Sequence, residues 1–318
     1  MHRPSNPRSR NRTVIAHVVA NYALEPPITC HWIHRGYNDH YRIEAGSSRY
    51  VFRIYLRGKY YIQSEGDYRS ELGLLRALAA GGVSVAAPIE RCDGELMGRL
   101  GGRCTALFDW ANGDPIVGSI GDPSSELGEM VGSMHRLSDQ VADASAFSRY
   151  HLDLHYLLDE PLRIVGDLFA RFARKGEMAL LASFTDRFRR HVESIPKRAP
   201  HYGIIHADLH AENIHYDGSF TFLDFDHCAF GYRVHELVTL REMMSGTAWE
   251  GFVAGYRKRY PLDDADLRLL PLFTLLREIW GIGDDLAIRP VWGEEPTEED
   301  ADRVADTLRW VADEAASL

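Results

Sequence analysis

Cysteine, lysine and long apolar runs are all scarce in this chain of 318 residues. Its four cysteines (Cys30, Cys92, Cys104 and Cys228) show no Cys-x-x-Cys spacing, which argues against a zinc ribbon or a disulfide scaffold and indicates reduced thiols. No stretch approaches the roughly 18 consecutive apolar residues of a membrane span, and no apolar run of signal-peptide length follows the Arg-rich N-terminus. We therefore predict a cytoplasmic protein without a membrane partner.

The charge of the chain is negative and unevenly distributed. The formal net charge of −10 argues against a nucleic-acid partner. Residues 261–318 contain fifteen Asp and Glu but five Arg, so this segment alone carries a charge of −10. One interpretation is a solvated surface of helices; the other is an acidic wall that attracts a cationic substrate. The four lysines, against 32 arginines, are attributed to genome composition.

Hydrophobic patterning divides the chain into a β-rich part and a helical part. Residues 1–12 offer little to bury, and we predict a mobile arm there. Residues 13–110 show strand patterns and one main helix that ends at Gly81-Gly82, and they are predicted to form a small N-lobe. The clearest strand-like runs are Ile28–His34, Tyr37–Ala45, Arg49–Leu56, Pro88–Arg91 and Arg103–Asp109. A helix start at Asp122-Pro123 and repeated helical spacing predict a mostly helical C-lobe over residues 111–318, which makes the fold class α+β.

Three acidic or amide residues form a spaced series between residues 206 and 226. Asp208 is followed by Asn213 five positions later and by Asp224 eleven positions after that. The order His-x-Asp, four spacers, Asn and then Asp-Phe is that of a protein-kinase catalytic loop with its metal ligands. Phosphoryl transfer requires such groups because Mg²⁺, which neutralises the γ-phosphate oxygens, needs hard oxygen ligands. The series therefore predicts an ATP- and Mg²⁺-dependent phosphotransferase.

The chain between these residues has the pattern of a β-hairpin. Two strand-like runs, residues 213–216 and 219–223, flank an Asp-Gly pair that is typical of a two-residue turn. With that turn, Asn213 falls opposite Phe222. Asp224 then lies two positions further, roughly 7 Å away at ~3.3 Å per residue, a distance that one metal ion and its ligands can bridge. The hairpin is predicted to bring the spaced series together at its open end.

These residues resemble the aminoglycoside phosphotransferase and choline kinase family, the small-molecule branch of the protein-kinase-like fold. The resemblance extends over nearly the whole chain, and the branch of type II homoserine kinases and stress response kinase A is the most similar. It implies a bilobal protein-kinase-like fold in which Asp208 acts as catalytic base or orients the acceptor hydroxyl, while Asn213 and Asp224 bind Mg²⁺. His210 and Asp226 are candidate substrate contacts; alternatively, His210 is structural, and Asp226 shares the metal or only orients Asp224.

The same resemblance implies that the N-lobe binds the nucleotide. Arg53 matches the basic residue that grips the phosphates, and Glu71 matches its partner on the following helix. The other implied contacts are Gly36 and Asn38 in the phosphate-covering turn, and Phe108 and Trp110 in the hinge beside adenine. Arg53 replaces the lysine of protein kinases, so a planar guanidinium with donors in a fixed geometry replaces a compact ammonium group. The turn is also poorer in glycine than a kinase loop, and the choice between ATP and GTP is not determined.

The predicted reaction is transfer of the γ-phosphate to a hydroxyl group of a small molecule by a monomer or a homodimer. An aminoglycoside, another antibiotic, an amino-alcohol and a sugar all fit as acceptors. The alternatives are a protein Ser/Thr kinase of the stress response kinase type and a nucleotide-binding regulator without catalysis. A zinc hydrolase is a further alternative, since His206, Asp208 and His210 alternate and would share one face of a strand.

Overall fold

The N-terminal part of the chain is an antiparallel sheet with one helix on each face. The computed structural model describes residues 7–116, 123–144, 147–244 and 246–318. The sheet contains β1 (Ile28–Arg35), β2 (Asn38–Ala45), β3 (Ser48–Tyr55), β4 (Gly98–Leu100) and β5 (Arg103–Asp109), paired in the order β1-β2-β3-β5-β4. The two helices are α1 (Pro7–Asn21) and α2 (Glu65–Ala80).

Alternating side chains of the sheet enter two different hydrophobic clusters. Phe52 of β3 packs in a cluster with Val18 of α1, on one face. Phe108 of β5 packs on the other face in a cluster with Leu75 of α2. Because successive residues of a strand point to opposite faces, Arg53, next to Phe52, points toward α2 and not toward α1.

Helices dominate the rest of the chain. They are α3 (Ser124–Ala144), α4 (Glu160–Arg171), α5 (Met178–Glu193), α6 (Arg233–Glu242), α7 (Gly246–Arg257), α8 (Asp264–Leu267), α9 (Leu270–Trp292) and α10 (Glu298–Ala315). Local sequence accounts for several helix ends: Thr297 and Asp300 form a capping box at the start of α10, and Gly293, with φ of +79°, ends α9. Within the described ranges, no helix is both long and apolar enough to cross a bilayer.

Two small sheets lie among these helices. Their strands are β6 (Asp114–Pro115), β7 (His151–Leu152), β8 (Tyr202–Ile205), β9 (Ile214–Tyr216), β10 (Phe220–Phe222) and β11 (Ala229–Tyr232), paired as β10-β9-β6 and β7-β11-β8. The segment after α2 joins β10 through two backbone hydrogen bonds, Ala86 N–H to the Phe222 carbonyl (3.0 Å) and Phe222 N–H to the Ser84 carbonyl (3.0 Å). The hairpin β9–β10 therefore lies at the junction between the β-rich part and the helical part.

The α+β class is confirmed, but two local predictions differ from the structure. Residues 7–12 of the expected arm belong to α1, where the Asn11 side chain donates to the Cys30 carbonyl (3.0 Å); residues 1–6 lie outside the described part. The strand expected at Pro88–Arg91 reduces to a single bridge between Pro88 and Phe108, and β4 begins ten residues later. The helix start expected at Asp122 also falls outside the described residues.

Candidate active site

A buried histidine holds the loop that precedes the hairpin. His206 Nε2–H donates to the Leu223 carbonyl (2.7 Å), while its Nδ1 accepts the backbone N–H of Asp208 (3.2 Å). Burial lowers the pKa of His206, so the ring stays neutral and can donate and accept at once. The His206 backbone N–H donates to Glu236 Oε2 (2.6 Å). Both ring nitrogens are thus occupied, and His206 is structural.

The metal trio considered from the sequence does not form. His206 cannot offer a ring nitrogen to a zinc ion while both nitrogens are bonded to the backbone. In the part of the chain that the structure describes, no group of three or more His, Cys, Asp and Glu side chains is arranged to hold a metal ion.

The hairpin turn contains three residues, and the predicted two-residue turn is wrong. Ile214 pairs with Phe222, so residues 217–219 form the turn, and the glycine at its centre has φ of +103°. Asn213 consequently lies beside Leu223, whose N–H donates to the Asn213 carbonyl (2.9 Å). Asp224, the second predicted metal ligand, directly follows Leu223. It therefore lies one residue beyond the position opposite Asn213, and not two as predicted.

Asp208 lies at the open end of the hairpin with its carboxylate partly exposed. The amide nitrogen of Asn213 donates to the Asp208 carbonyl (2.9 Å) and to its carboxylate Oδ2 (3.4 Å), and His210 Nε2 lies 3.5 Å from the same carboxylate oxygen. Burial opposes ionisation of Asp208, but the hydrogen bond and the charge of His210 help to lower its pKa below the ordinary value. The group is therefore a carboxylate at neutral pH.

Asn213 and Asp224 both face one cleft and can offer oxygen atoms there. The Asn213 amide nitrogen is committed to Asp208, which leaves the amide oxygen as the atom available to a cation. Asp224 adopts a left-handed backbone conformation, with φ of 55° and ψ of 64°, just before the short helical turn Phe225–His227. One carboxylate and one amide oxygen at adjacent positions fit a hard divalent cation such as Mg²⁺.

Arg53 is the basic group of this cleft. It lies on β3 and is buried, with Nη1 2.8 Å from Glu71 Oε1 and Nη2 3.0 Å from Asp224 Oδ1. Its Nε–H donates to His40 Nε2 (3.2 Å), and burial lowers the pKa of His40 to about 3, so that ring is a neutral acceptor. The guanidinium carbon also lies 4.8 Å from the centroid of the Phe108 ring. Four neighbours therefore fix the direction of one cation.

The cleft encloses about 190 Å³ and is lined by both apolar and polar side chains. Its apolar lining includes Ile33, Val51, Leu75, Ala86, Phe108 and Trp110. Its polar lining includes Arg53, Asn213 and Asp224. Five of the residues predicted from the sequence thus line one cleft: Arg53, Phe108, Trp110, Asn213 and Asp224. Glu71 is not part of the lining but is bonded to Arg53. The lining suits a flat aromatic group beside the apolar side chains and an anion with its counter-cation beside Arg53, Asn213 and Asp224.

Gly36 and Asn38 lie apart from that lining: Gly36 is in the turn between β1 and β2, and Asn38 is the first residue of β2. The Gly36 carbonyl accepts Trp292 Nε1–H (3.0 Å), and the hydroxyl of Tyr37 donates to Asp284. The Asn38 side chain is fully buried, and its Oδ1 accepts Lys59 Nζ (3.0 Å). The turn is therefore held against the end of α9, and Asn38 bonds to a lysine inside the protein.

The structure also reveals a buried ion pair that the sequence patterns did not indicate. Lys59 Nζ lies 2.7 Å and 2.8 Å from the two carboxylate oxygens of Asp226, and the Tyr61 hydroxyl donates to Asp226 Oδ2 (2.7 Å). Lys59 lowers the pKa of Asp226 against the effect of burial, which alone would raise it. The scarcity of lysine and the two tyrosines after Lys59 are the signals that could have drawn notice to it.

Comparison with known proteins places the chain in a family. The model of the phosphotransferase enzyme family matches residues 33–270. An uncharacterized protein of Deinococcus radiodurans is 31% identical over 288 residues, with 85% of this chain and 81% of that protein covered. The amicoumacin kinase of Bacillus subtilis is 26% identical over 293 residues, with 82% and 84% covered.

Solved structures agree in fold. The microcompartment-associated aminopropanol kinase superposes with a TM-score of 0.72 at 24% identity, with 95% of each chain covered. An amicoumacin kinase in complex with AMP-PNP, Ca²⁺ and Ami gives a TM-score of 0.74 at 19% identity, with 95% of this chain and 93% of that chain covered. A choline kinase of Cryptosporidium parvum gives 0.66 at 13% identity, with 96% of each chain covered. The predicted protein-kinase-like bilobal fold is thereby confirmed.

Proposed function

The chain belongs to the phosphotransferase enzyme family and is a phosphotransferase with an alcohol group as acceptor; we propose that it uses ATP and Mg²⁺ to phosphorylate a small hydroxyl compound that carries an amine. One observation carries this proposal: an ion-paired Arg53 and the oxygen atoms of Asn213 and Asp224 line one cleft together with apolar side chains that include Phe108. Asp208 lies beside Asn213 at the same hairpin mouth.

The cleft supports binding of the nucleotide. Phe108 and Trp110 line it and would contact a purine base, and Arg53 would contact the phosphates. Since Arg53 is already braced by Glu71, little side-chain entropy remains to be lost when an anion binds. A nucleoside triphosphate therefore matches the mixed polarity of the cleft lining.

Asn213 and Asp224 are the residues that would hold the divalent ion. Mg²⁺ would supply charge neutralisation on the β- and γ-phosphate oxygens, where the charge of the transition state is spread. The protein contributes by keeping these oxygens at one place: Asn213 is fixed through Asp208, and the left-handed conformation of Asp224 turns its carboxylate into the cleft.

Asp208 would align the acceptor. Its carboxylate is ionised and partly exposed, so it can accept the proton of a substrate hydroxyl and direct the oxygen lone pair at the phosphorus. Most of the rate gain would come from positioning and from charge stabilisation, because phosphoryl transfer needs little covalent help from the protein. His210, at 3.5 Å from Asp208, would maintain the carboxylate's orientation.

The amine of the acceptor is proposed from the acidic residues of α9. Asp284 is buried, and its carboxylate accepts the Tyr37 hydroxyl. Burial and the nearby carboxylate of Asp208 raise the pKa of Asp284, against the hydrogen bonds from Tyr37 and Tyr60, which lower it. An ammonium group would offset the two effects that raise the pKa. The similar protein named aminopropanol kinase fits an acceptor that carries both an amine and a hydroxyl group.

The test is a screen for ADP release with purified protein, ATP and Mg²⁺. Amino-alcohols, aminoglycosides, other antibiotics and neutral sugars are offered one at a time, and phosphorylated product is identified by mass spectrometry. We expect turnover with an amine-bearing hydroxyl compound, lost in Asp208→Ala and kept in Asp217→Ala, a change in the exposed hairpin turn. Phosphate incorporated only into protein would support the protein-kinase alternative, and nucleotide binding without any turnover would support the regulator.

A further inference from the structure

Lys59 is a buried cation with every donor engaged. Its side chain is fully enclosed, and Nζ contacts the two oxygens of Asp226 and the Oδ1 of Asn38, at 2.7, 2.8 and 3.0 Å. An ammonium group has three N–H donors, so these three acceptors account for all of them. Lys59 therefore has no donor left for a phosphate or for a substrate.

Asp226 is equally enclosed, and neighbours hold its backbone as well as its carboxylate. The carboxylate binds Lys59 and the hydroxyl of Tyr61. The Asp226 carbonyl accepts Arg149 Nη2, and the carbonyl of Cys228 accepts Arg149 Nε (2.6 Å). This segment is thus tied on one side to the residues that follow β3 and on the other side to Arg149.

Asp224 is separated from Asp226 by one buried residue. Phe225 packs its ring against His206, with 4.3 Å between ring centroids. With Phe225 in the core and Asp226 bonded to Lys59, the backbone between residues 224 and 226 cannot rotate without breaking a buried contact. The left-handed conformation of Asp224, which turns its carboxylate into the cleft, is the conformation held in this way.

We propose that Lys59 is a positioning residue, which acts through Asp226 to set the carboxylate of Asp224 for the divalent ion. The inference rests on the proposed function of the same cleft. Lys59 also cancels the charge of Asp226, so that one carboxylate, Asp224, and not two, presents its charge to the metal and the phosphates. Asp226 accordingly serves neither as a metal ligand nor as a substrate contact, because its oxygens are occupied by Lys59 and Tyr61.

The experiment measures how Mg²⁺ tightens the binding of a fluorescent ATP analogue, which requires no knowledge of the acceptor. Wild type, Lys59→Met, Asp226→Asn and the double variant are titrated with Mg²⁺, after circular dichroism has shown that each is folded. Lys197→Met is the matched control, because Lys197 forms an exposed pair with Asp153. We expect Lys59→Met and Asp226→Asn each to require a Mg²⁺ concentration at least about tenfold higher for the same tightening of analogue binding. This is the usual effect of removing a residue that holds a metal ligand in place.

The double variant separates positioning from two independent effects. If Lys59 acts through Asp226, the double variant requires no more Mg²⁺ than the single variant with the higher requirement. Binding of the analogue without Mg²⁺ stays at the wild-type level in all three variants. Loss of Mg²⁺-free binding in Lys59→Met would mean that Lys59 contacts the nucleotide itself, and this would overturn the proposal. Losses that multiply in the double variant would do the same.

Three further outcomes are decisive. If a single variant does not fold, the charge-neutral double variant carries the test: about a tenfold higher Mg²⁺ requirement supports positioning, and a wild-type requirement overturns it. If wild type binds the analogue in a Mg²⁺-dependent way and Lys59→Met is unchanged, the inference alone fails. If wild type binds no analogue at all, the proposed function fails together with it.

Discussion

Arg53 Nη1 lies 2.8 Å from Glu71 Oε1, and this buried ion pair joins β3 to α2 directly behind the cleft. The second oxygen of Glu71 has no hydrogen-bond partner among the described residues, so the bond to Arg53 is the main compensation for burying that carboxylate. Burial raises the pKa of Glu71, and the charge of Arg53 opposes this effect. The pair therefore contributes to the stability of the β-rich part and also fixes the direction in which the Arg53 side chain points.

Glu71→Gln tests the pair. The change leaves the Arg53 guanidinium buried with Asp224 as its remaining carboxylate partner, and removal of one member of a buried pair costs about 3–5 kcal/mol. We expect a loss of that order in the free energy of unfolding, measured by urea denaturation, and a higher KM for ATP. Glu95→Gln, which breaks an exposed pair with Arg69, should cost less than about 1 kcal/mol. An unchanged KM for ATP in Glu71→Gln would contradict the bracing role.

Asp208→Asn should separate chemistry from binding. The substitution keeps the size of the side chain but removes the acceptor for the hydroxyl proton, so we expect kcat to fall by about 10²–10⁴-fold. Nucleotide affinity should stay at the wild-type value because Asp208 is not part of the cleft lining. Steady-state kinetics and analogue binding measure the two quantities. Asp217→Asn, in the exposed turn, is the control, and wild-type kcat in Asp208→Asn would disprove the role.

Glu236 gives a pH dependence of stability. Burial raises the pKa of Glu236 to about 7, against the hydrogen bonds from the backbone N–H groups of His206 and Ala207, which lower it. Between its ordinary value of 4.5 and about 7, the folded protein keeps a proton that the unfolded chain releases. The contribution of protonated Glu236 to the free energy of unfolding is thus complete below pH 4.5 and is lost as the pH rises through 7. Its amplitude is about 3 kcal/mol at most.

Glu236→Gln should remove that dependence, because a glutamine does not titrate. The free energy of unfolding, measured by denaturation at several pH values, should then decline less between pH 4.5 and 7 than in wild type. Glu250→Gln, at an exposed position of α7, should leave the pH profile as it is. A profile of Glu236→Gln that coincides with wild type would show that the carboxyl is ionised throughout.

The packing of α3 against α7 depends on a glycine. A Cβ atom at Gly255 would collide with the backbone carbonyl of Ser125, which cannot move aside as a flexible side chain would. We expect Gly255→Ala to lower the free energy of unfolding by about 1–3 kcal/mol. At Gly281, within α9, a Cβ meets no atom within 4 Å, so Gly281→Ala should stabilise by about 0.5–1 kcal/mol. A thermal melt in which both variants match wild type would contradict the close approach.

Local features of the fold were accessible from the sequence. Strand alternation predicted β2 and β3 to within about a residue at each end, and Gly81 marks the end of α2 as predicted. Such features depend on periodicity and on backbone hydrogen bonds between near neighbours, which the sequence shows directly. The hairpin register was missed by one residue, because an Asp-Gly pair is compatible with turns of two and of three residues.

The spaced series of Asp208, Asn213 and Asp224 and the α+β order of elements follow from the sequence by itself, since both depend on residues that are close along the chain. Tertiary structure alone decided which distant groups meet: Lys59 with Asp226, 167 positions apart, and Gly36 with Trp292, 256 positions apart. These contacts result from the packing of the helical part against the sheet, and periodicity carries no information about them. For that reason Asp224 could be proposed as a metal ligand from the sequence, whereas the contact of Lys59 with Asp226 could not be predicted.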